Sequence, residues 1–291
     1  FFGGVAPHKN HAKAFLDALR VPVVMTAHEI AEPPASTNAL LNLALRKVNR
    51  ANFCHPALRR LIVHTEQDRL RLLDIGVEEA KICVVRHGIP EPLPLPDREA
   101  TKWELGFSGR RVLTLFGYLS RKKGHSLALE MMQTLPADVV LLFAGGRHPD
   151  DETGYVDHLK AQVESLGLQE RVRFTGYLPD AEIARYLAVT DVALAPFTQT
   201  SGSGSLALML AHGIPVVCSP IMPHKEILQD APASLSMLPS FEPQECANHV
   251  RALLEDHSGQ AELRAGALLY ATRHSYSVMA QETLRIYQEV L

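Results

Sequence analysis

Two loops carry the residues best suited to chemistry. Gly117-Tyr-Leu-Ser-Arg-Lys-Lys-Gly124 follows an apolar run at residues 112–116, so Arg121, Lys122 and Lys123 stand where a strand ends. The second loop lies between strand-like residues 191–195 and the apolar run 206–211. It is made of small polar residues and includes Thr200, Ser201, Gly202, Ser203, Gly204 and Ser205. A run that is apolar all round reads as a buried helix. A helix opened by small residues presents backbone N–H groups and the positive end of its dipole, an anion site whose usual guest is phosphate. Cations from one loop and helix N–H groups from the other would bracket a diphosphate and neutralise it as a leaving group. Each loop also has a plainer reading, a solvated basic turn and a Ser-rich crossover. Two anion-binding features at one sheet edge favour phosphate by about two to one.

These loops need a scaffold. Short apolar strands are expected at 21–25, 61–63, 82–85, 112–116, 139–144, 172–175, 191–195, 214–218 and 236–238, alternating with helical segments. Gly213 suits a left-handed helix cap, and Pro215 cannot continue the helix. Alternating units with near-continuous apolar strands predict parallel sheets covered on both faces. Residues 89–97 hold four prolines and read as a linker. The expected architecture is α/β: two Rossmann-like domains whose parallel sheets face a cleft. Residues 1–90 form the first domain, 91–105 the Pro-rich linker and 106–274 the second. Residues 275–291 are a terminal helix returning to the first.

Polar residues at the ends of apolar strands lie where open α/β sheets bind ligands. In the first domain these are Thr26-Ala-His28-Glu29, His64-Thr65 and Arg86-His87-Gly88. His28 and Glu29 read as cleft residues, with a satisfied strand-end histidine as the plain alternative for His28. For His87 the plain reading, a hinge before Gly88, is the stronger. No GxGxxG follows a strand, so a standard dinucleotide site is not expected.

Composition narrows the class. The 291 residues are 46% hydrophobic and 21% charged, ordinary for a soluble globular enzyme. No run is long enough for a transmembrane helix, and no basic-then-apolar signal segment opens the chain. The four cysteines form no CxxC pair and read as reduced thiols of a cytoplasmic protein. The fourteen histidines contain no HExxH, so no metal site is expected. Residues 1–90 hold 12 Lys and Arg against 8 Asp and Glu, +4; residues 91–291 hold 17 against 24, −7. A mildly basic front suits an anionic acceptor or a membrane surface, although a plain solvated surface is the commoner case. Aromatic content of 6% and dispersed basic residues argue against nucleic-acid binding.

Several stretches, in order, resemble the retaining glycosyltransferases of family 4, which have the GT-B fold. Phe116-Gly117 through Lys123-Gly124 resembles the family's donor loop, and Leu142-Phe-Ala-Gly145-Gly146 its next strand end. Arg171 through Pro179, Asp191 to Pro196, Gly213-Ile-Pro215-Val-Val217 and Glu226-Ile227 follow in the family's order. In the first domain, Val24-Met-Thr-Ala-His28-Glu29 and Val85-Arg-His87-Gly88 fit as well. The resemblance covers essentially the whole chain. It implies that Lys123, with Arg121 and Lys122, contacts the diphosphate of a nucleotide-sugar donor. Gly117 and residues 200–205 line the phosphates, Tyr177 and Leu178 lie beside the base, and His28 lies on the acceptor side near the transferred sugar. Glu29, His87 and Glu226 fall elsewhere in the cleft. The donor is a substrate, and neither cofactor nor metal is implied. The acceptor is a saccharide or a lipid-linked saccharide of bacterial surface polysaccharide or glycolipid synthesis. The place of action is the cytoplasm, with peripheral association at the inner face of the membrane compatible.

Three departures stand out. The family's two glutamates, with seven residues between them, fall at Thr200 and Leu208. The frequent Arg beside the donor-loop glycine is Tyr118. The glycine-rich first loop is missing, so the first domain is expected to be incomplete, as in an N-terminally truncated chain. The alternative is a non-catalytic nucleotide-sugar-binding or assembly subunit of the same fold; a third is a nucleotide-sugar epimerase.

Overall fold

The computed structural model describes residues 11–28, 30, 39–147 and 154–291. The chain forms two compact units, residues 1–88 with 276–291, and residues 89–275.

In the first unit, α1 (His11–Ala18), β1 (Val23–Thr26), α2 (Ala39–Phe53), β2 (Leu58–Val63), α3 (Glu66–Ile75) and β3 (Ile82–Val84) build a three-stranded parallel sheet, order β1-β2-β3. Side chains alternate across a strand, and β2 uses both faces. Leu58, Leu61 and Val63 pack with Leu16 of α1 and Leu72 of α3. Ile62 faces the other way, with Val85, against Ile286 and Met279 of the terminal helix Tyr276–Gln288. Covering both faces of β2 explains why its end reads as an unbroken apolar run.

The second unit contains α4 (Arg98–Glu104), β4 (Arg111–Phe116), α5 (His125–Met131), β5 (Val139–Ala144), α6 (Tyr155–Ser165), β6 (Val172–Phe174) and α7 (Asp180–Val189). It continues through β7 (Val192–Ala195), α8 (Gly204–Ala211), β8 (Val216–Cys218), α9 (Met222–Asp230), β9 (Ser236–Met237), α10 (Pro243–Glu255) and α11 (His257–Arg273). Its six parallel strands run β6-β5-β4-β7-β8-β9. This is the doubly wound order, in which the direction of winding reverses between β4 and β7. Leu113 and Leu115 of β4 pack with Leu141, Phe143 and Met132 on one face; Val112 packs with Val140, Leu142 and Phe107 on the other.

Two stretches differ from expectation. The linker assigned to 91–105 contains α4, which belongs to the second unit. Asp97 caps it by accepting from Ala100 N at 2.8 Å, and Lys102 Nζ donates to Asp191 Oδ2 at 3.0 Å. The proline run hid this short helix. Residues 222–230, given no element from sequence, form α9, with Pro223 in its first turn, where a missing N–H is tolerated.

Candidate functional site

Because β4 and β7 are hydrogen-bonded neighbours, the loops that leave their C-terminal ends meet at the switch point. Thr198 N donates to Lys122 O at 2.8 Å. Gly124 has φ +71°, and a Cβ there would lie 2.1 Å from the carbonyl oxygen of Pro196. Only glycine fits that crossing. Gly117, at φ +98°, leaves the space into which Lys123 folds back; a Cβ there would stand 2.5 Å from its Nζ.

Lys123 Nζ donates to Phe116 O and to Ser205 Oγ, both at 3.0 Å, and lies 5.6 Å from the centre of the Phe197 ring. Ser205 Oγ is 3.0 Å from Ser203 Oγ, and Ser203 caps α8 by accepting from Leu206 N at 3.2 Å. Either hydroxyl of the Ser203–Ser205 pair can donate to the other while Ser205 accepts from Lys123. A continuous hydrogen-bonded path thus ties the loop cation to the first turn of α8. Backbone N–H groups in that turn have no intrahelical acceptor, so cation and dipole add at one place. Burial pushes the Lys123 ammonium down to about 8. Its hydrogen-bond partners are neutral oxygens, which leaves its charge available to an anion.

The other expected residues divide. Arg121 sits with its guanidinium 5.0 Å from the centre of the Tyr155 ring. Lys122 is exposed and joins the loops through its backbone carbonyl. Thr200 and Ser201 are half-buried and Gly202 and Gly204 exposed along the approach to α8. Tyr177 is 68% exposed, and Leu178 packs partly against the cluster around Phe107 and Val189. Gly146 lets the Tyr177 backbone come close, since a Cβ there would be 3.1 Å from Tyr177 N. Glu226 is buried on α9. Leu208, where the family pattern has a glutamate, packs against the apolar cluster of α8.

Sequence reading missed Phe197 and His125. His125 lies buried at the start of α5, with Nδ1 3.2 Å from Ser120 O, and supports the loop from beneath. Burial holds its imidazole down to about 3, hence neutral. A histidine directly after the loop's closing glycine was the available signal.

In the first unit, His28, His64 and His87 follow β1, β2 and β3 at the same sheet end. The His28 and His64 ring centres are 4.9 Å apart, and those of His64 and His87 5.4 Å. His64 is buried, with Nδ1 2.9 Å from Val85 O and Nε2 3.1 Å from His28 Nδ1. His87 Nδ1 donates to Gly88 O at 2.9 Å. Burial lowers the pKa of both His64 and His87. Glu29 lies outside the described residues. His64 was noted from sequence only as a strand-end residue; its recurrence at the middle of three parallel strand ends was the signal. Among the described residues, no helix is long and apolar enough to cross a membrane.

Residues 110–256 match the family model described as glycosyl transferases group 1. The chain is 28% identical over 246 residues to D-inositol 3-phosphate glycosyltransferase 1 of Catenulispora acidiphila, covering 81% of this chain and 58% of that one. It is 31% identical over 173 residues to mannosylfructose-phosphate synthase of Agrobacterium fabrum, covering 53% and 38%. The match therefore spans between about two fifths and three fifths of the length of these relatives. The crystal structure of Anabaena HepE in complex with UDP and glucose superposes with a TM-score of 0.78 at 22% identity, covering 92% of this chain and 72% of that one. That likeness shows the α/β GT-B fold.

Proposed function

The chain belongs to the glycosyl transferases group 1 family, and from that premise we propose that it moves a sugar from a nucleotide-diphosphate sugar to a hydroxyl acceptor with retention at the anomeric carbon. The observation that carries this reading is the path from Lys123 through Ser205 and Ser203 to the first turn of α8. As the bond from the anomeric carbon to the diphosphate oxygen breaks, negative charge grows on the leaving group. Lys123 and the α8 amides meet that charge where it develops. The acceptor hydroxyl attacks from the same face and gives its proton to the departing phosphate. The reading calls for no metal. Arg121 and Lys122 are secondary cations of the same loop, Thr200 to Gly202 flank the phosphates, and Tyr177 and Leu178 take the base. His28 meets a hydroxyl of the sugar or acceptor. Consistent with this class, HepE is described with UDP, with UDP and glucose, and with UDP-glucose. The acceptor is a saccharide or lipid-linked saccharide of bacterial surface glycan synthesis, and the reaction runs in the cytoplasm at the inner face of the membrane.

Lys123→Ala tests the reading. Transfer from a panel of nucleotide sugars is expected to fall at least about a hundred-fold with the circular dichroism spectrum unchanged. Full transfer activity in this variant would exclude the role given to Lys123. Leu208, apolar and packed against the core cluster of α8, favours a second reading, a non-catalytic nucleotide-sugar-binding subunit. Calorimetric binding of nucleoside diphosphates without turnover on any donor would select it.

A further inference from the structure

The three histidines at the strand ends of the first unit do not share their protons freely. The Val85 carbonyl only accepts, so at 2.9 Å the Nδ1 of His64 carries a hydrogen. A neutral imidazole protonated at Nδ1 has a lone pair at Nε2. That Nε2 faces His28 Nδ1 at 3.1 Å. Two lone pairs do not meet at this distance, so His28 Nδ1 carries its own hydrogen and donates.

The groups around His64 keep it in this state. It is buried, and His28 and His87 flank it from β1 and β3. Asp68 on α3 attracts a proton to His64, but that carboxylate accepts from the Thr65 hydroxyl at 2.8 Å and from Arg71 at 2.9 Å. Burial outweighs the carboxylate, and His64 titrates below the usual range.

We propose that His64 is a positioning residue that holds His28 as its Nδ1–H tautomer, so that His28 presents a lone pair at Nε2 to a ligand hydroxyl. A free imidazole in water prefers the opposite tautomer, with hydrogen on Nε2. The fold reverses that preference through one backbone carbonyl and one buried ring. His28 then recognises a hydroxyl by accepting from it, which an Nε2–H histidine cannot do. Naming that hydroxyl as one on the sugar or acceptor rests on the proposed transferase reading. The tautomer assignment does not.

The test is two-bond proton–nitrogen correlation NMR on the full chain labelled with 15N-histidine, with His28→Asn used for assignment. At neutral pH, His28 is expected to show a pyrrole-type Nδ1 and a pyridine-type Nε2. In His64→Leu the pattern on His28 should exchange. In His64→Gln the amide oxygen stands near the lost Nε2 and should preserve it. His64→Asn reaches only the Val85 side and should exchange it. The kcat of transfer is expected to fall about ten-fold in His64→Leu and to recover in His64→Gln. If His64→Leu does not fold, His64→Asn against His64→Gln makes the same comparison. A proton on His28 Nε2 in the unaltered chain, or a tautomer that ignores His64, overturns the proposal. An exchanged tautomer with unchanged kcat overturns the acceptor role. A chain that transfers no sugar yet shows the tautomer exchange sinks the transferase reading alone.

Discussion

In the proposed function, Lys123 is the residue on which the second unit's chemistry turns. Lys123 is half-buried under the end of β4, and its ammonium, lowered to about 8 by desolvation, donates to two neutral oxygens. An anion that binds there favours the charged form and raises that pKa again. The sign of the pH effect follows. Below pH 8 the lysine is protonated with or without ligand, and affinity is flat. Above pH 8 the free protein loses its proton while the complex keeps it, so binding must take up a proton. Affinity for UDP is expected to fall about ten-fold per pH unit over that range. Titration calorimetry in buffers of different ionisation enthalpy should show proton uptake near pH 8.5, and Lys123→Arg should flatten the profile. A pH-independent affinity across that range would mean that Lys123 does not face the anion. Lys123, Ser203 and Ser205 could be singled out from sequence as candidates because of their types and their place beside apolar runs, and the structure brings these three side chains together. That Ser205 bridges Lys123 to the helix cap was not, because it depends on how two distant loops meet. Arg121 could not be separated from Lys123 by sequence; the contact of its guanidinium with the Tyr155 ring, 34 residues on, depends on the fold.

At the scale of elements, the two loops are held in register by an approach that glycine alone permits. An alanine at 124 would need φ near +71°, costing about 1–2 kcal/mol, and its Cβ would collide with Pro196 O. Gly124→Ala is expected to lower the unfolding free energy of the second unit by roughly 3 kcal/mol and to weaken UDP binding along with it, as read by urea denaturation and calorimetry. A loss under about 1 kcal/mol would mean that the loops are not locked together. Most helices and strands were readable within two or three residues, since their apolar periods are clean. Short α4 was not: it follows a proline run, and its hold on the unit comes from Arg98 and Lys102 reaching Asp191 across the sheet end.

The whole chain is two units, and the first is completed by residues from the far end of the sequence. Ile286 and Met279 of the terminal helix cover the face of the three-stranded sheet that Ile62 and Val85 present. Tyr276 packs on Gly88, where a Cβ would lie 2.3 Å from its ring. Ending the chain at Ser275 is expected to destabilise the first unit by at least about 3 kcal/mol, the order of one fully buried aliphatic side chain and part of another. Scanning calorimetry should show one transition moving to lower temperature and the other, from residues 89–275, staying in place. If both moved together, the division into units would be wrong. The periods of apolar residues, the glycine and proline punctuation and the polar strand tips settled the fold class and the family resemblance and named the residues of the candidate site, because each is a local property of neighbouring residues. The order of strands in the larger sheet, the meeting of the loops after β4 and β7, and the contact between His64 and His28 came from three-dimensional packing. They join residues 19 to 82 positions apart, and no local pattern encodes which distant partner a strand or side chain will meet.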